Sequence, residues 1–568
     1  MILHAGPFHI LYDRGFLRYL KYGDSEVLRM IYFALRDENW TTYKPIVENE
    51  IIDLQPDQFN ITYDCFHEED NQRIYQWKAS IHGLPNGTIE FEINGLALKE
   101  ILRNRAGFCI LHPVEGLAGQ PCTIHHPDST AEQLNFPFHI EPRDPFKLIQ
   151  SMQWNMDGHA YNLDFEGDLF ETEDQRNWSD ASYKTFCTPL SIPFPVLLKP
   201  GDTVFQKVIF KPVQTLPFLS PKKDKIILQL TDQKISSPRI GTKASESLEK
   251  PMDQVISSLQ ALQLDHYRVD IYLKNPEWKQ KASNENQKAI ALDVPLYLVL
   301  HLNELFNEQL IEFIDWSKEQ TLQPSDILLL SEGKPITSVD IIRNLSSLRS
   351  VFPNSRIGAG TDFGFTEVNR NRFDASDLDF ISFSVNPQMH ASDDLTIIEN
   401  IESQDEMIRS AKVIFGESTA IHVSPLTLRM RVNPNATNPQ KKRNTGSELY
   451  DPRQLTPFAA AFTLGSLKAL SIGGCSTVTL FQDIGPLGML SEKGETYPIY
   501  DALLIWKQVS TNLFNSHTSH PLVVDSLYSR NEKSSTLILI NYTKEHQTAY
   551  LSDSAFELDP EEIKTIQL

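Results

Sequence analysis

Residues 294–332, VPLYLVLHLNELFNEQLIEFIDWSKEQTLQPSDILLLSE, decide the reading of the fold. The opening run VPLYLVLHL is apolar at nearly every position, the pattern of a strand buried on both faces. ELFNEQLIEFIDWSKEQ then spaces its apolar residues three and four apart, as an amphipathic helix does. DILLLSE returns to a short buried strand. Strand, helix and strand in that order make a crossover unit, which sets the two strands parallel.

Outward from this unit the alternation continues in both directions. RIGTKA, YRVDIYL, VPLYLVLHL, DILLLSE, SRIGAGTD, DFISFSVN, AIHVSPLTL and TVTLFQD are strand candidates, separated by helical stretches such as PMDQVISSLQALQL and ITSVDIIRNLSSLRSVF. Eight strands alternating with helices over about 270 residues match a (β/α)8 TIM barrel in count and length. An open doubly wound sheet is the alternative, but no glycine-rich dinucleotide turn follows the first strand. Upstream, short alternating segments such as QRIYQWKASIHG and GTIEFEINGLAL, joined by the turn LPNG, predict an antiparallel β-sandwich. Downstream, HPLVVDSLYSR, SSTLILINYT and QTAYLSDSAFELD predict a small β-domain. The expected division is an N-terminal β-sandwich at 1–213, a strand-containing linker at 214–235, the barrel at 236–514 and the C-terminal β-domain at 515–568. A long polar loop at 431–454 is expected after the seventh strand.

A chain of 568 residues exceeds what one hydrophobic core supports. Its net charge of −22 argues against nucleic acid or an anionic membrane surface as partner. The N-terminal stretch lacks the basic region and apolar run of a secretory signal, and no segment approaches the ~18–20 apolar residues of a membrane span. The five cysteines are odd in number and never in a CxxC spacing, which fits free thiols in a reducing cytoplasm better than disulfides or zinc. The expected protein is therefore cytoplasmic, with no metal and no cofactor, and its oligomeric state is left open.

In a (β/α)8 barrel the chemistry sits at the C-terminal ends of the strands, so polar residues just past each run are the ones to collect. The fourth strand gives Glu332 and the fifth gives Asp362, Glu367, Asn369 and Arg370. The sixth runs into Asn386, Gln388, His390 and Asp393. The seventh offers Ser424 with Arg429 or Arg431, and the eighth closes on Gln482 and Asp483. Bland readings stand beside these. Glu332 before Gly333 suits a turn, and Glu367 suits the first turn of a helix, where the macrodipole favours an acid. Arg370 and Arg372 suit a surface ion-pair network. As a set they offer carboxylates, an imidazole, amides and guanidiniums. His125 and His126 lack a third metal ligand, and neither a GxSxG elbow nor a P-loop occurs. What remains is hydrolysis or acid/base chemistry on a small, polar, sugar-derived molecule.

FTEVNRNR at 365–372 and NPQMHASDD at 386–394 are similar to the D-apionate lactonase family. So are RAGFCILHP at 105–113, EDQRNWSDASYKTF at 173–186 and LRYLKYGDSEVLRMIYFALRDENW at 17–40. The resemblance implies a β-domain, a central TIM barrel and a second β-domain, in a glycoside-hydrolase-like architecture. It implies a hydrolase of apiose catabolism that opens D-apionolactone to D-apionate, with related aldonolactones as further substrates.

The barrel argument then distributes the roles. Glu367 is the general base that activates water against the lactone carbonyl, and Glu332, abutting four apolar residues, is the acid for the leaving ring oxygen. Arg370, His390 and Asn386 stabilise the oxyanion. Asp362, Asn369 and Gln388 line the site. In the N-terminal motif, Arg176 and Asn177 either bind substrate hydroxyls or, with Trp178, hold a domain interface, and the interface has the edge. A glycoside hydrolase on the same barrel is the runner-up, although HVSPLTLRM puts no acid at the seventh strand. A non-catalytic carbohydrate-binding protein is the further alternative.

Overall fold

The computed structural model describes residues 1–219, 225–245, 253–320, 322–438 and 442–568. Residues 220–224 of the expected linker, 251–252 of the first expected barrel helix and 439–441 of the polar loop lie outside the described residues. The chain forms two compact units. One comprises Met1–Arg176, Ala181–Asp224 and Asn435–Lys442, the other Asn177–Asp180, Lys225–Pro434 and Arg443–Leu568.

The first unit is built on two antiparallel sheets of nine strands each. Strands Gln72–Gly83 and Ile89–Ala97 bury alternate residues, as period-2 sequences dictate. They are joined by the LPNG turn, where the Leu84 amide donates to the Thr88 carbonyl at 2.8 Å. Gly87 has φ +87°, and a Cβ there would lie 2.8 Å from the Phe8 ring, so the turn needs glycine. Apolar side chains of both sheets, Phe8, Trp77, Trp154 and Phe210 among them, share one core. Phe8 and Phe210 meet edge to face at 5.2 Å across it.

The second unit holds a closed parallel barrel. Its strands are β1 (Arg239–Lys243), β2 (His266–Tyr272), β3 (Leu296–Leu302), β4 (Pro324–Ser331), β5 (Arg356–Gly360), β6 (Phe380–Val385), β7 (Ala420–Leu426) and β8 (Thr477–Ile484). Each pairs in parallel with the next, and β8 pairs back to β1. The eight strand candidates of the sequence are these eight strands. Tyr297, Val299, Leu328, Leu330 and Phe380 fill one stretch of the interior. The Phe380 ring stacks on His422 at 3.9 Å, and a Cβ on Gly358 would fall 2.3 Å from it. The small residues of β5 thus make room for a large one on β6. At the opposite end from the strand C-termini, Asp326 receives Arg239 at 3.2 Å and Arg356.

Seven further strands, one before the barrel and six after it, form a sheet in which Ile226–Lys234 pairs with both Leu513–Thr518 and Gln547–Leu551. The strand expected in the linker is therefore an inner strand of the C-terminal sheet. Helix Pro457–Gly473 is apolar on almost every side because it is covered on every side. Its one buried cation, Lys468, meets Asp525 of the C-terminal sheet at 2.5 Å. Among the described residues, no helix is long and apolar enough to cross a membrane.

Candidate active site

Strand β2 turns alternate residues to the barrel interior, which brings Arg268, Asp270 and Tyr272 in sequence toward the C-terminal mouth. Arg268 is wholly buried and donates to Asp270 at 2.7 Å, to Asp362 just past β5 at 3.2 Å and to the Ser424 hydroxyl of β7 at 3.0 Å. Asp270 also meets His301 Nε2, at the end of β3, at 3.0 Å and Lys243, at the end of β1, at 3.4 Å. The His301 ring lies flat on Tyr272 at 4.0 Å. Asp362 takes two more guanidiniums from the segment after β7, Arg431 and, at 3.5 Å, Arg443. Burial works against ionising Asp362, but Arg431 and Arg268 outweigh it and bring its pKa down to about 2. Burial likewise opposes Asp270, and Arg268 and Lys243 hold it well below the usual carboxylate range.

Beside this cluster lies a recess of about 390 Å³, open in part to solvent. Glu367, Asn386, Arg431, Ser384, Thr366 and Trp178 are among its lining residues. Glu367 stands in the first turn of the short helix Phe365–Arg370, where the macrodipole favours an acid, and it also lines the recess. Its side chain is buried, and burial pushes its pKa up, with Arg370 opposing. Asn371 Nδ2 approaches one carboxylate oxygen at 3.4 Å. The Asn386 amide contacts Met389 Sδ at 3.4 Å through its nitrogen, while its buried oxygen has no partner among the described residues.

Residues Asn177–Asp180 pack onto the same helix. The Asn177 carbonyl accepts from Thr366 at 2.6 Å, and its side chain accepts from Asn369 at 2.9 Å. Arg370 lies over the Trp178 ring at 4.7 Å. Asp180 holds His390 Nδ1 at 2.6 Å, and the Trp178 ring meets the imidazole edge-on. Of EDQRNWSDASYKTF, Trp178 and Ser179 thus wall the recess, while Asn177 and Asp180 hold residues of the same unit. Arg176 does not join them. Its guanidinium is fully buried against Asp174 at 2.7 Å and the carbonyls of Pro137 and Phe138, a brace within the first unit that leaves it no exposed face for a substrate hydroxyl.

The remaining candidates separate. Glu332 sits at the mouth with Lys274 on one oxygen, and its other oxygen is buried without a partner among the described residues. Gln388 is engaged by Asp451 at 2.8 Å and Arg453 at 3.1 Å, a network that fixes the loop after β7. Asp393 caps the helix Asp394–Glu399 by accepting from the Thr396 amide. Asp483 accepts from Tyr267 and the Ser245 amide, outside the cluster. Sequence reasoning did not single out Lys243, Arg268, Asp270, Tyr272 or His301. The available signal was YRVDIYL itself, where two opposite charges two positions apart interrupt a barrel strand and so face the same way.

A family model described as "D-apionate lactonase, N-terminal domain" matches residues 1–215, and one described as "D-apionate lactonase, TIM barrel domain" matches residues 240–511. The chain belongs to the D-apionate lactonase family. It is 28% identical over 529 residues to a D-apionate lactonase of Brucella anthropi, a match that covers 87% of this chain and 84% of that relative. Among solved structures, this member of the D-apionate lactonase family is similar to a GH30 endoxylanase from Clostridium papyrosolvens, at 10% identity with a TM-score of 0.42 over 61% of this chain and 99% of the other. A beta-arabinopyranosidase matches at 11% identity with a TM-score of 0.29, covering 100% of this chain and 98% of that one. Likeness at that level says nothing about activity.

Proposed function

We propose that this chain opens a sugar-derived lactone, D-apionolactone to D-apionate or a related aldonolactone, in carbohydrate catabolism. Family membership makes it a lactone-hydrolysing enzyme, a carboxylic-ester hydrolase. The same reading takes the two N-terminal sheets as a β-sandwich, and segments 1–213, 236–514 and 515–568 as its domains.

One observation carries the mechanism. The poorly solvated carboxylate of Glu367, the guanidinium of Arg431 and the amide oxygen of Asn386, unpartnered among the described residues, line one recess. Glu367 removes a proton from water as the water oxygen bonds to the lactone carbonyl carbon. The carbonyl electrons move onto oxygen, and Arg431 stabilises the oxyanion. When the intermediate collapses, the ring C–O bond breaks and the leaving alkoxide takes the proton back from Glu367. The new acid then ionises. Asn386 accepts from a substrate hydroxyl. His390, fixed by Asp180, and Arg370, fixed on Trp178, sit one layer back and hold the recess in shape. The Lys274 contact moves Glu332 from the acid suggested by the sequence to a second hydroxyl acceptor.

A panel of aldonolactones, D-apionolactone included, tested beside aryl glycosides separates the readings. The account expects acid release from at least one lactone and none of the glycosides cleaved. Glycoside cleavage with every lactone left intact contradicts it.

A further inference from the structure

We propose that Trp178 is the platform on which the ring of the lactone lies, so that the enzyme selects its substrate by a C–H face as well as by hydroxyls. The inference rests on the lactonase reading and extends it to what the recess recognises.

Exposure is the first support. Trp77, Trp154 and Trp506 are less than 2% exposed and serve packing. Trp178 keeps part of its surface exposed and lines the recess with Glu367. Its neighbours Asn177, Ser179 and Asp180 are all buried. An indole left at the wall of an open recess forgoes hydrophobic stabilisation that a bound ring would supply.

Anchoring is the second. Besides the contacts of Asn177 with Thr366 and Asn369, the Ser403 hydroxyl donates to the Ser179 carbonyl at 2.8 Å. Asn400 reaches Asp180 at 3.4 Å beside His390, and Arg370 lies over the indole. Ser179, next to Trp178, has φ +73°, a left-handed conformation that non-glycine residues rarely adopt. Such backbone persists where its surroundings hold it, and it concentrates at ligand-contacting sites. A wall fixed in advance loses little freedom when a ligand arrives.

Composition is the third. Glu367, Asn386 and Arg431 give the recess polar contacts, and Met389, Met430 and Val432 extend the apolar surface of Trp178. A polyhydroxy lactone has both kinds of surface. Its carbonyl and hydroxyls suit the first set, and its ring C–H bonds suit the second. Those bonds sit next to oxygen and carry partial positive charge, which the negative face of an aromatic ring attracts. An open-chain polyol has the same hydroxyls but no fixed C–H face, and ordering it costs rotational freedom.

The test uses the full-length enzyme and the lactone that it opens fastest. Two inert competitors are compared: the anhydroalditol ring, in which a methylene replaces the lactone carbonyl, and the open-chain alditol of the same skeleton. The wild type is expected to hold the ring with a Ki at least about fivefold below that of the chain. Trp178→Leu should raise KM for the lactone and Ki for the ring about tenfold, with Ki for the chain unchanged and the loss falling on KM rather than kcat. Trp178→Phe, which keeps a smaller aromatic face, should fall in between, and it carries the test if the leucine variant does not fold. Equal Ki values for ring and chain in the wild type overturn the inference while leaving the lactonase reading in place. So does a variant that weakens ring and chain alike, or weakens neither. Failure of the wild type to open any lactone would instead remove the reading on which the inference rests.

Discussion

Asp362 shows what a single side chain does in this barrel. Three guanidiniums converge on it from β2 and from the segment after β7. Replacing it by Asn leaves those cations without their counter-charge, and breaking one partner of such a buried network typically costs about 3–5 kcal/mol. The effect also has a sign in pH. A carboxylate held down at about 2, against an ordinary 3.8, contributes stability that is fully present above pH 3.8 and is lost as pH falls toward 2. The wild type should therefore lose stability across that window, and Asp362→Asn should start lower and lose less. Urea unfolding at pH 7 and pH 3 measures both. Residues like this were only half legible in the sequence. Asp362, Glu367 and Asn386 follow strand ends, where polar residues in a barrel draw attention. Arg268, Asp270 and His301 lie within strands, where position alone does not tell a site residue from a structural one.

At the scale of elements, β5 has the least freedom. Gly360 sits at φ +151°, and a Cβ there would stand 1.9 Å from the Ser382 carbonyl oxygen. Its amide and carbonyl are both tied to Thr337, at 3.0 Å and 2.9 Å. Gly360→Ala therefore pushes backbone against backbone, at a cost of about 1–3 kcal/mol, and displaces the strand end that carries Asp362. The variant should melt lower and turn over more slowly, which calorimetry and rate measurement on one sample check. An unchanged melting temperature would show that β5 yields. The barrel strands were legible because parallel strands buried on both faces leave apolar runs that turns and helices punctuate. Placing Ile226–Lys234 in the C-terminal sheet was not legible, since its partners lie nearly 300 residues away and no local pattern records them. The motif at 173–186 was open for a similar reason. Its Arg176 braces the first unit while Trp178 and Ser179, two and three residues on, wall the recess.

For the whole molecule, family and physical reading converge on a barrel whose mouth carries fixed charge and whose side recess carries a poorly solvated carboxylate. The central claim is that Glu367 takes the proton from water. Turnover of Glu367→Gln on the lactone that the enzyme opens, with the melting temperature recorded on the same sample, tests it most directly. The amide keeps the shape and removes the base, so turnover should fall about 10²- to 10⁴-fold. The melting temperature at neutral pH should hold or rise, because burial disfavours the charged form of Glu367 and the variant no longer bears that penalty. Turnover within a few-fold of wild type would contradict the account.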